Sequence, residues 1–268
     1  MLKTIGKRAA EALGYKITRA LPSPPDPPVS GRARALIRAM WPVATDRPLI
    51  RCGGDGDGAY LIPDDLEGIA ALFSPGVAGT SAFEDEMAAR GMTCHLADAS
   101  VDGPATDNPR FRFERKFLGL RNEGDLMTLD AWIDRNEPGD HDLMLQMDIE
   151  GAEWTVLSSL SDRLLGRFRI MAIEFHTMDM LFDPYSEQIV ADVMGRLLAT
   201  HHLVHNHPNN AVGVVRQDGV EAPEVIELTF LRKDRARATG HATAFPHPLD
   251  VVNNPTNPPL TLPAAWRA

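Results

Sequence analysis

Three carboxylates follow a short apolar run in the segment LMLQMDIEGAEWTVL, residues 143–157. The apolar residues end at Met147, and Asp148, Glu150 and Glu153 come within the next six positions. An unpaired charge at the mouth of a buried strand is costly, because burial removes the water that solvates it. The carboxylates therefore indicate a ligand, or a set of hydrogen-bonding partners, at this point of the fold.

Further polar residues follow other segments that have the apolar pattern of buried strands. Glu174 and His176 lie two positions apart at the end of FRIMAIEFH, and His205 and His207 have the same spacing in HLVHNH. Residues two positions apart on a strand face the same side of the sheet. Several strand ends therefore carry groups that can bind a ligand or transfer a proton.

Two kinds of chemistry fit these groups. Asp148, Glu174, His176 and His207 could together bind a divalent cation, Mg²⁺ or Mn²⁺, through oxygen and imidazole ligands. Alternatively, His176 or His207 acts as a general base that a carboxylate orients, with no metal. A third interpretation is that the histidines are ordinary hydrogen-bonded residues at a polar sheet edge.

A second group of residues is typical of nucleotide binding. The segment SPGVAG, residues 74–79, lies between an apolar strand and a predicted helix. Gly76 and Gly79 allow the backbone to approach a ligand closely, and the helix N-terminus favours the ligand's polar groups. Asp98 follows Gly76 by 22 residues at the end of the next strand. This spacing is near that of an acid that accepts hydrogen bonds from a ribose.

Alternating strands and helices must position these residues. The predicted strands are 68–76, 92–100, 142–148, 168–176, 202–207 and 224–233, and the predicted helices are 81–91, 128–136, 152–165 and 185–201. Strands separated by helices form right-handed βαβ units and a parallel sheet. The last two strands have only a loop-like segment between them, so we expect them to pair antiparallel. The sequence therefore predicts an α/β fold, a Rossmann-like, doubly wound and mostly parallel sheet ending in an antiparallel hairpin.

Helix ends and faces have signals of their own. Ser81 followed three residues later by Glu84 predicts a capping box, and Thr128 predicts a second N-cap. In the last helix, the residues expected to face inward are Ile189, Val190, Val193 and Leu197.

The composition limits the classes of function. The formal net charge is −10, which argues against nucleic acid as a partner, since binding phosphates requires a positive surface. Cys52 and Cys94 are too few for a disulfide framework, which favours a reducing compartment and a cytoplasmic location. No apolar stretch approaches the roughly 20 residues that span a bilayer.

The two ends of the chain differ from its centre. Residues 1–31 predict a basic N-terminal helix and a proline-rich linker, and residues 32–235 a folded domain. Residues 236–268 predict an irregular, proline-rich tail that either wraps the surface or is disordered. Within residues 1–20, five basic residues stand against one acidic residue. Such a helix could rest on an anionic membrane surface as a peripheral contact, or it could pack on the domain or fray in solvent.

The segment LMLQMDIEGAEWTVL resembles the signature of FkbM-type S-adenosylmethionine-dependent methyltransferases, in which an apolar strand ends in Asp-x-Glu-Gly-Ala-Glu and runs into a helix. Further segments resemble other parts of that family in the same order, namely RCGGDGDGAYLIP, LFSPGVAGTSAFEDEMAARGMTCHLADAS, TLDAWI and MAIEFH. The resemblance covers about residues 50–232. Pro75 and Ala78 depart from a loop that is usually richer in glycine.

The resemblance implies a class I methyltransferase fold and an O-methyltransferase that acts on a hydroxyl of a sugar, glycan or secondary metabolite. With S-adenosylmethionine as the cofactor, the strand ends and glycine-rich segments predict the residues that bind it, namely Gly76, Gly79, Asp98, Asp148 and Asp57. The strand-end residues predicted to handle the acceptor are Asp148, Glu174, His176 and His207. Two alternatives remain open at this point: a metal-dependent hydrolase that uses the same Asp, Glu and His residues, and a non-catalytic module that binds a partner protein.

Overall fold

The computed structural model describes residues 29–77 and 79–268. The predicted N-terminal basic helix, with its proposed membrane contact, lies outside the described residues. Among the described helices, none is long and apolar enough to span a bilayer.

Within these residues, six α-helices alternate with fifteen strands. The helices are α1 (Val29–Ala39), α2 (Ala82–Ala89), α3 (Leu129–Asn136), α4 (Glu153–Ser159), α5 (Asp162–Leu165) and α6 (Ser186–Thr200). The strands are β1 (Val43–Thr45), β2 (Leu49–Cys52), β3 (Tyr60–Pro63), β4 (Ala71–Pro75), β5 (Thr93–Ala97), β6 (Phe111–Glu114), β7 (Phe117–Leu118), β8 (Leu126–Met127), β9 (Leu143–Met147), β10 (Phe168–Phe175), β11 (His201–Pro208), β12 (Val214–Gln217), β13 (Val220–Pro223), β14 (Ile226–Arg232) and β15 (Ala238–His241).

Seven of the strands form one central sheet in the order β6-β5-β4-β9-β10-β14-β11. The five strands from β6 to β10 are parallel, and β14 runs antiparallel to both of its neighbours, β10 and β11. The sheet reverses its winding direction between β4 and β9, as a doubly wound sheet does. This confirms the predicted Rossmann-like, doubly wound and mostly parallel sheet, including the antiparallel pairing of the last two predicted strands.

The apolar strands are buried because the sheet is covered on both faces. Successive residues alternate between two hydrophobic clusters: Phe73 and Leu145 belong to one, and Leu72 and Met144 belong to the other. A strand that is buried on both faces has a nearly continuous apolar sequence, which explains the uniform run LMLQM in β9.

Several local predictions were wrong because tertiary contacts replaced the expected local ones. The Ser81 hydroxyl does not cap α2 and instead accepts from the Ala105 N–H, while the Glu84 carboxyl accepts from the Ser74 hydroxyl. The predicted helix 152–165 breaks into α4 and α5, because Ser161 caps a new helix. Ile189 is 43% exposed rather than inward. By contrast, the predicted cap at Thr128 is confirmed.

The segment between β11 and β14 holds more order than the sequence indicated. It was expected to be a loop, but it forms the hairpin β12–β13.

The C-terminal tail is largely irregular and packs on the domain through buried Leu262 and Trp266, which agrees with the first of the two expected arrangements, a tail that wraps the surface. The Trp266 indole N–H donates to the Glu221 carbonyl at 3.0 Å. The tail is therefore a fixed part of the fold on the β11 side of the sheet, and the division into three domains stays a prediction.

Candidate functional site

A pocket of about 360 Å³ lies at the carboxyl edge of the sheet, where β4, β5 and β9 end. Its wall includes three of the predicted cofactor residues, Gly76, Asp98 and Asp148, together with Phe117. In open α/β sheets, ligands bind at this edge, next to the point where the winding reverses. Gly79 and Asp57 are not in the wall of this pocket.

Gly76 lies where the ends of β4 and β9 approach each other most closely. A Cβ atom at this position would be 1.6 Å from the Asp148 carbonyl oxygen, and the φ angle of Gly76 is +94°. Both the contact and the backbone conformation therefore require glycine. A Cβ atom at Gly79 would meet no described atom within 4 Å, so the two glycines of the predicted loop have different roles.

Asp98 links the glycine loop to the end of β5. One carboxylate oxygen accepts from the Val77 N–H at 3.0 Å, and the other accepts from the Ser100 N–H and hydroxyl at 2.7 and 2.6 Å. A carboxylate has about four lone-pair sites, so Asp98 can accept a further bond from a ligand. This is consistent with the predicted contact to a ribose.

The turn between β9 and α4 is built around the side chain of Glu153. This side chain is fully buried and accepts from the Ile149 N–H at 2.9 Å and from the Gly151 N–H at 3.1 Å. It also meets His176 Nδ1 at 3.1 Å. Burial opposes ionisation, but the bond and charge of His176 and the backbone donors lower the pKa of Glu153 overall. One of the three carboxylates is thus fully paired by the protein itself.

Glu153 also orients His176, which follows the end of β10. With Nδ1 on Glu153, the ring directs Nε2 towards Glu174 at 3.5 Å, Glu150 at 3.6 Å and Asp148 at 3.9 Å. Burial disfavours the charged imidazole, but the bond to Glu153 and the surrounding carboxylates raise the pKa of His176. The nitrogen that faces the acids is therefore the one available for a proton or a metal ion.

Asp148, Glu174 and His176 form a compact set of donor atoms. These residues can each offer one atom such that all three lie within 4.8 Å of one another, and this is the only such group found among the described residues. Burial raises the pKa of Asp148 to about 6, against the attraction of His176. Asp148 Oδ1 is buried and has no hydrogen-bond partner within the described part of the chain. An orphaned acceptor of this kind fits a bound cation or a hydrogen-bond donor from a ligand.

A row of titratable side chains continues from this group across the sheet. Glu174 on β10 lies opposite Glu227 on β14, which in turn lies opposite His207 on β11. Burial and the charge of Glu227 raise the pKa of Glu174 to about 10, although the Asn209 side chain donates to its carboxyl at 3.1 Å. Burial raises the pKa of Glu227 to about 7, against the attraction of His207.

His207 does not join the group formed by Asp148, Glu174 and His176. Its Nδ1 lies 3.5 Å from a carboxylate oxygen of Asp250, and His205 Nε2 lies 2.9 Å from the other oxygen of the same carboxylate. The C-terminal tail supplies Asp250. The expected four-residue ligand set is therefore reduced to three, and His207 reaches the set only through Glu227.

Sequence reasoning missed two residues of this site. Glu227 is an acid within the apolar strand VIELTFL, a pattern that could have revealed it. Asn253 lies in the tail, and its amide nitrogen donates to Glu227 and, at 3.2 Å, to Asp57. Nothing in the local sequence around Asn253 indicates this role. Through this bond Asp57, predicted near the cofactor, lies beside the row of Asp148, Glu174 and Glu227, which we call the acidic row.

Comparison with known proteins gives one family match. Residues 94–195 match the family model described as the methyltransferase FkbM domain. This range runs from β5 into α6 and includes Asp98, Asp148 and His176. No curated protein matches the sequence.

Solved structures with a similar chain path include two bacterial methyltransferases. Precorrin-6y C5,15-methyltransferase from Geobacter metallireducens aligns with 61% of this chain and 82% of its own, at 9% identity and a TM-score of 0.30. The 1,6-didemethyltoxoflavin-N1-methyltransferase of Burkholderia thailandensis, solved with bound 1,6-didemethyltoxoflavin and S-adenosylhomocysteine, aligns with 62% of this chain and 72% of its own, at 14% identity and a TM-score of 0.31. EvdMO1 aligns with 88% of this chain and 47% of its own, at 11% identity and a TM-score of 0.27.

Proposed function

We propose that this protein is an S-adenosylmethionine-dependent O-methyltransferase, because residues 94–195 match the family model described as the methyltransferase FkbM domain. Its acceptor in this proposal is a hydroxyl of a sugar, glycan or secondary metabolite. One observation carries the proposal: the pocket walled by Asp98 and Asp148 adjoins His176, a potential base that buried Glu153 orients.

The pocket suits the proposed cofactor at both of its ends. Asp98 has acceptor capacity left for the ribose hydroxyls, and Phe117, which is 46% exposed, offers an aromatic face for the adenine. At the other end, the orphaned Oδ1 of Asp148 suits the cationic methionine end. Gly76, Gly79 and Asp57 complete the proposed cofactor set.

S-adenosylmethionine supplies an electrophilic methyl group on a sulfonium sulfur. The protein must then align the acceptor oxygen with that methyl and remove the hydroxyl proton, because a neutral hydroxyl is a poor nucleophile. We assign the proton to His176 Nε2. Glu153 keeps a proton on Nδ1 and so leaves the Nε2 lone pair free. The charge of Asp148 stabilises the imidazolium that forms, and Glu174, as a neutral acid, offers its carbonyl oxygen to the Nε2 side of the ring.

A divalent cation, Mg²⁺ or Mn²⁺, is the alternative to a histidine base. The donor set of Asp148, Glu174 and His176 fits such an ion, since it combines two carboxylates with an imidazole nitrogen and includes an orphaned oxygen. In that case the ion would hold the acceptor hydroxyl and lower its pKa. The two versions use the same three residues and differ in what sits at their centre.

Isothermal titration with S-adenosylmethionine and S-adenosylhomocysteine tests the proposed function directly. We expect saturable binding of both compounds and a rise in the thermal midpoint, because a ligand that binds the folded state stabilises it. The absence of heat and of a thermal shift with either compound, on well-folded protein, would rule out the proposed function.

Titration with Mn²⁺ distinguishes the histidine-base version from the metal version by binding alone, so this part of the test needs no acceptor. For a histidine base we expect no stoichiometric Mn²⁺ binding, and activity that rises with pH through an ionisation above 6.5, because the pKa of His176 is raised. One tightly bound equivalent of Mn²⁺, lost in His176→Ala and kept in a control such as His141→Ala, would favour the metal version. Chelation would then abolish methyl transfer, and Mg²⁺ or Mn²⁺ would restore it.

A further inference from the structure

Polar contacts at two points hold the C-terminal segment, residues 250–257, against the edge of the domain. Before Asn253, the Asp250 carboxylate lies 2.9 Å from His205 Nε2 on β11. After it, the Asn210 side chain donates to the Asn254 carbonyl at 2.8 Å and accepts from the Asn254 N–H at 2.8 Å. The backbone on both sides of Asn253 is therefore fixed by contacts that do not involve the acidic row.

Asn253 itself points into the acidic row. The residue is 6% exposed, and its amide nitrogen donates to the carboxylates of both Glu227 and Asp57. Its Oδ1 is buried and has no hydrogen-bond partner among the residues that the structure describes. A single buried amide thus bridges two acids that would otherwise repel each other, and its own carbonyl oxygen stays unpaired among the described residues.

Asp57 belongs to the glycine-rich loop 53–58, which is held from its other side by the domain. The Arg51 guanidinium donates to the Gly54 carbonyl at 2.7 Å, and the Gly53 N–H donates to the Glu86 carboxylate at 3.0 Å. The charge of Asp57 reaches Asp148, whose pKa, raised mainly by burial, it raises further. The Arg51 guanidinium also donates to the Gly56 carbonyl at 3.2 Å, and Asn253 is the donor that the described residues supply to the Asp57 side chain itself.

We propose that Asn253 is a positioning residue, which the C-terminal segment supplies to hold Asp57 and Glu227 at the amino-acid end of the cofactor site. This inference rests on the proposed function, because it takes that end of the pocket to receive the methionine group of S-adenosylmethionine. Asn253 acts through Asp57 and does not itself touch the cofactor. The C-terminal segment is then part of the active site rather than a surface covering.

Two ligands that share an adenosine test the proposal. S-adenosylhomocysteine carries the amino-acid end, and 5′-methylthioadenosine lacks it. We expect Asn253→Ala to weaken S-adenosylhomocysteine about tenfold or more in isothermal titration, because two carboxylates lose a shared donor. Binding of 5′-methylthioadenosine should stay within about twofold of wild type, because the adenosine end does not depend on Asn253.

A second variant and a matched control separate positioning from folding. Asn253→Asp keeps the shape but replaces the amide donor with a further carboxylate, so it should weaken S-adenosylhomocysteine at least as much. Asn257→Ala removes a different amide of the same segment, which donates to the Asn210 carbonyl at 3.0 Å. Other bonds from Asn210 to the segment remain, so this control should bind both compounds like the wild type.

Three results would overturn the proposal while leaving the proposed function in place. These are unchanged S-adenosylhomocysteine binding in both Asn253 variants, equal loss of both ligands, and a loss in Asn257→Ala as large as that in Asn253→Ala. Wild-type protein that binds neither ligand would instead overturn the proposed function, and this inference with it.

Discussion

At the amino edge of the central sheet, the carboxylates of buried Asp65 and half-buried Asp142 lie against arginine side chains. Asp142 lies between Arg169 at 2.7 Å and Arg232 at 2.6 Å, and Asp65 pairs with Arg235 at 2.8 Å. Burial opposes the ionisation of Asp142 and Asp65, but the guanidinium groups lower the pKa of both carboxyls overall. At this edge, charge is balanced within the protein.

The carboxyl edge of the same sheet has the opposite balance. Glu174 and Glu227 are buried and Asp148 beside them is half-buried, and the pKa of each is raised. The nearby side chains that can carry positive charge there include His176 and His207, which titrate, and Arg51, whose guanidinium donates to the Gly54 and Gly56 carbonyls rather than to these carboxylates. The same fold can pair its buried acids, and at one edge it leaves them underpaired, as expected where a ligand completes the site.

The largest effect is expected at the amino edge of the sheet, for Arg169→Met. The Arg169 side chain is 6% exposed, pairs with Asp142 and donates to the Asp65 carbonyl at 2.9 Å. Its loss removes one of the two guanidinium groups on Asp142 and leaves the Asp65 and Glu67 carbonyls without this donor, so the free energy of unfolding should fall by about 3–5 kcal/mol in urea denaturation. Arg163→Met, in an exposed pair with Asp134, is the control and should leave the midpoint unchanged. A loss for Arg169→Met below about 1 kcal/mol would show that the pairing there is no stronger than at the surface.

The next largest effect is expected at the carboxyl edge of the sheet, for Gly76→Ala. The added Cβ would meet the Asp148 carbonyl oxygen at 1.6 Å, and the backbone there has positive φ. Strain and overpacking together should lower the free energy of unfolding by about 3 kcal/mol and abolish cofactor binding. Gly79→Ala is the matched control, because its Cβ would meet open space. Equal effects of the two substitutions in thermal unfolding would contradict the difference between these glycines.

Asp98→Ala should weaken binding more than it weakens the fold. Losing a charged acceptor of the ribose hydroxyls should cost about 1.5–3 kcal/mol, or roughly 10- to 100-fold in affinity. The loss should extend to 5′-methylthioadenosine, unlike that of Asn253→Ala, because both ligands carry the ribose. Asp102→Ala, whose side chain is 93% exposed, is the control for general charge. An unchanged dissociation constant for Asp98→Ala would make Asp98 a loop residue only.

The smallest expected effect is the change in stability when a carboxyl is replaced by its amide, and it has opposite signs at the two edges of the sheet. Folding raises the pKa of Glu174 from 4.5 to about 10, so the folded state holds a proton that the unfolded state loses. The contribution of Glu174 to stability therefore falls as the pH rises from 4.5 towards about 10. Glu174→Gln should therefore stabilise the protein at pH 8, by about 1 kcal/mol, and reduce activity. Asp142→Asn should destabilise it at that pH, because the lowered pKa of Asp142 contributes stability above 3.8, which is lost as pH falls further. Urea denaturation across pH measures both, and the same sign for both would refute the contrast.

Much of the fold could be predicted because its signals are local. The strands β4, β5, β9 and β10 are apolar runs with turn residues at their ends, and Thr128 caps α3 through a residue three positions away. The edge strand β6 and the hairpin β12–β13 were not predicted, because half-exposed short strands lack a continuous apolar run. Pairing with a neighbouring strand, which no short window contains, decides whether such segments become strands.

The site divides in the same way. Glu153 finds its backbone donors at Ile149 and Gly151, within four residues, so the Asp-x-Glu-Gly-Ala-Glu segment by itself determines the turn at the end of β9. The bond between Asn253 and Asp57 joins residues 196 positions apart. No periodicity or spacing in the chain encodes such a contact.

The sequence by itself determined that polar groups end the strands and that these ends meet at one edge, because strand direction follows from alternating helices and strands. Only the tertiary structure decided which of these groups share a site. It brings His176 to Asp148 and Glu174, and it draws His207 towards Asp250 in the tail. The physical reason is that a buried side chain takes the partner that packing brings within about 3 Å, and packing here depends on a segment at the far end of the chain.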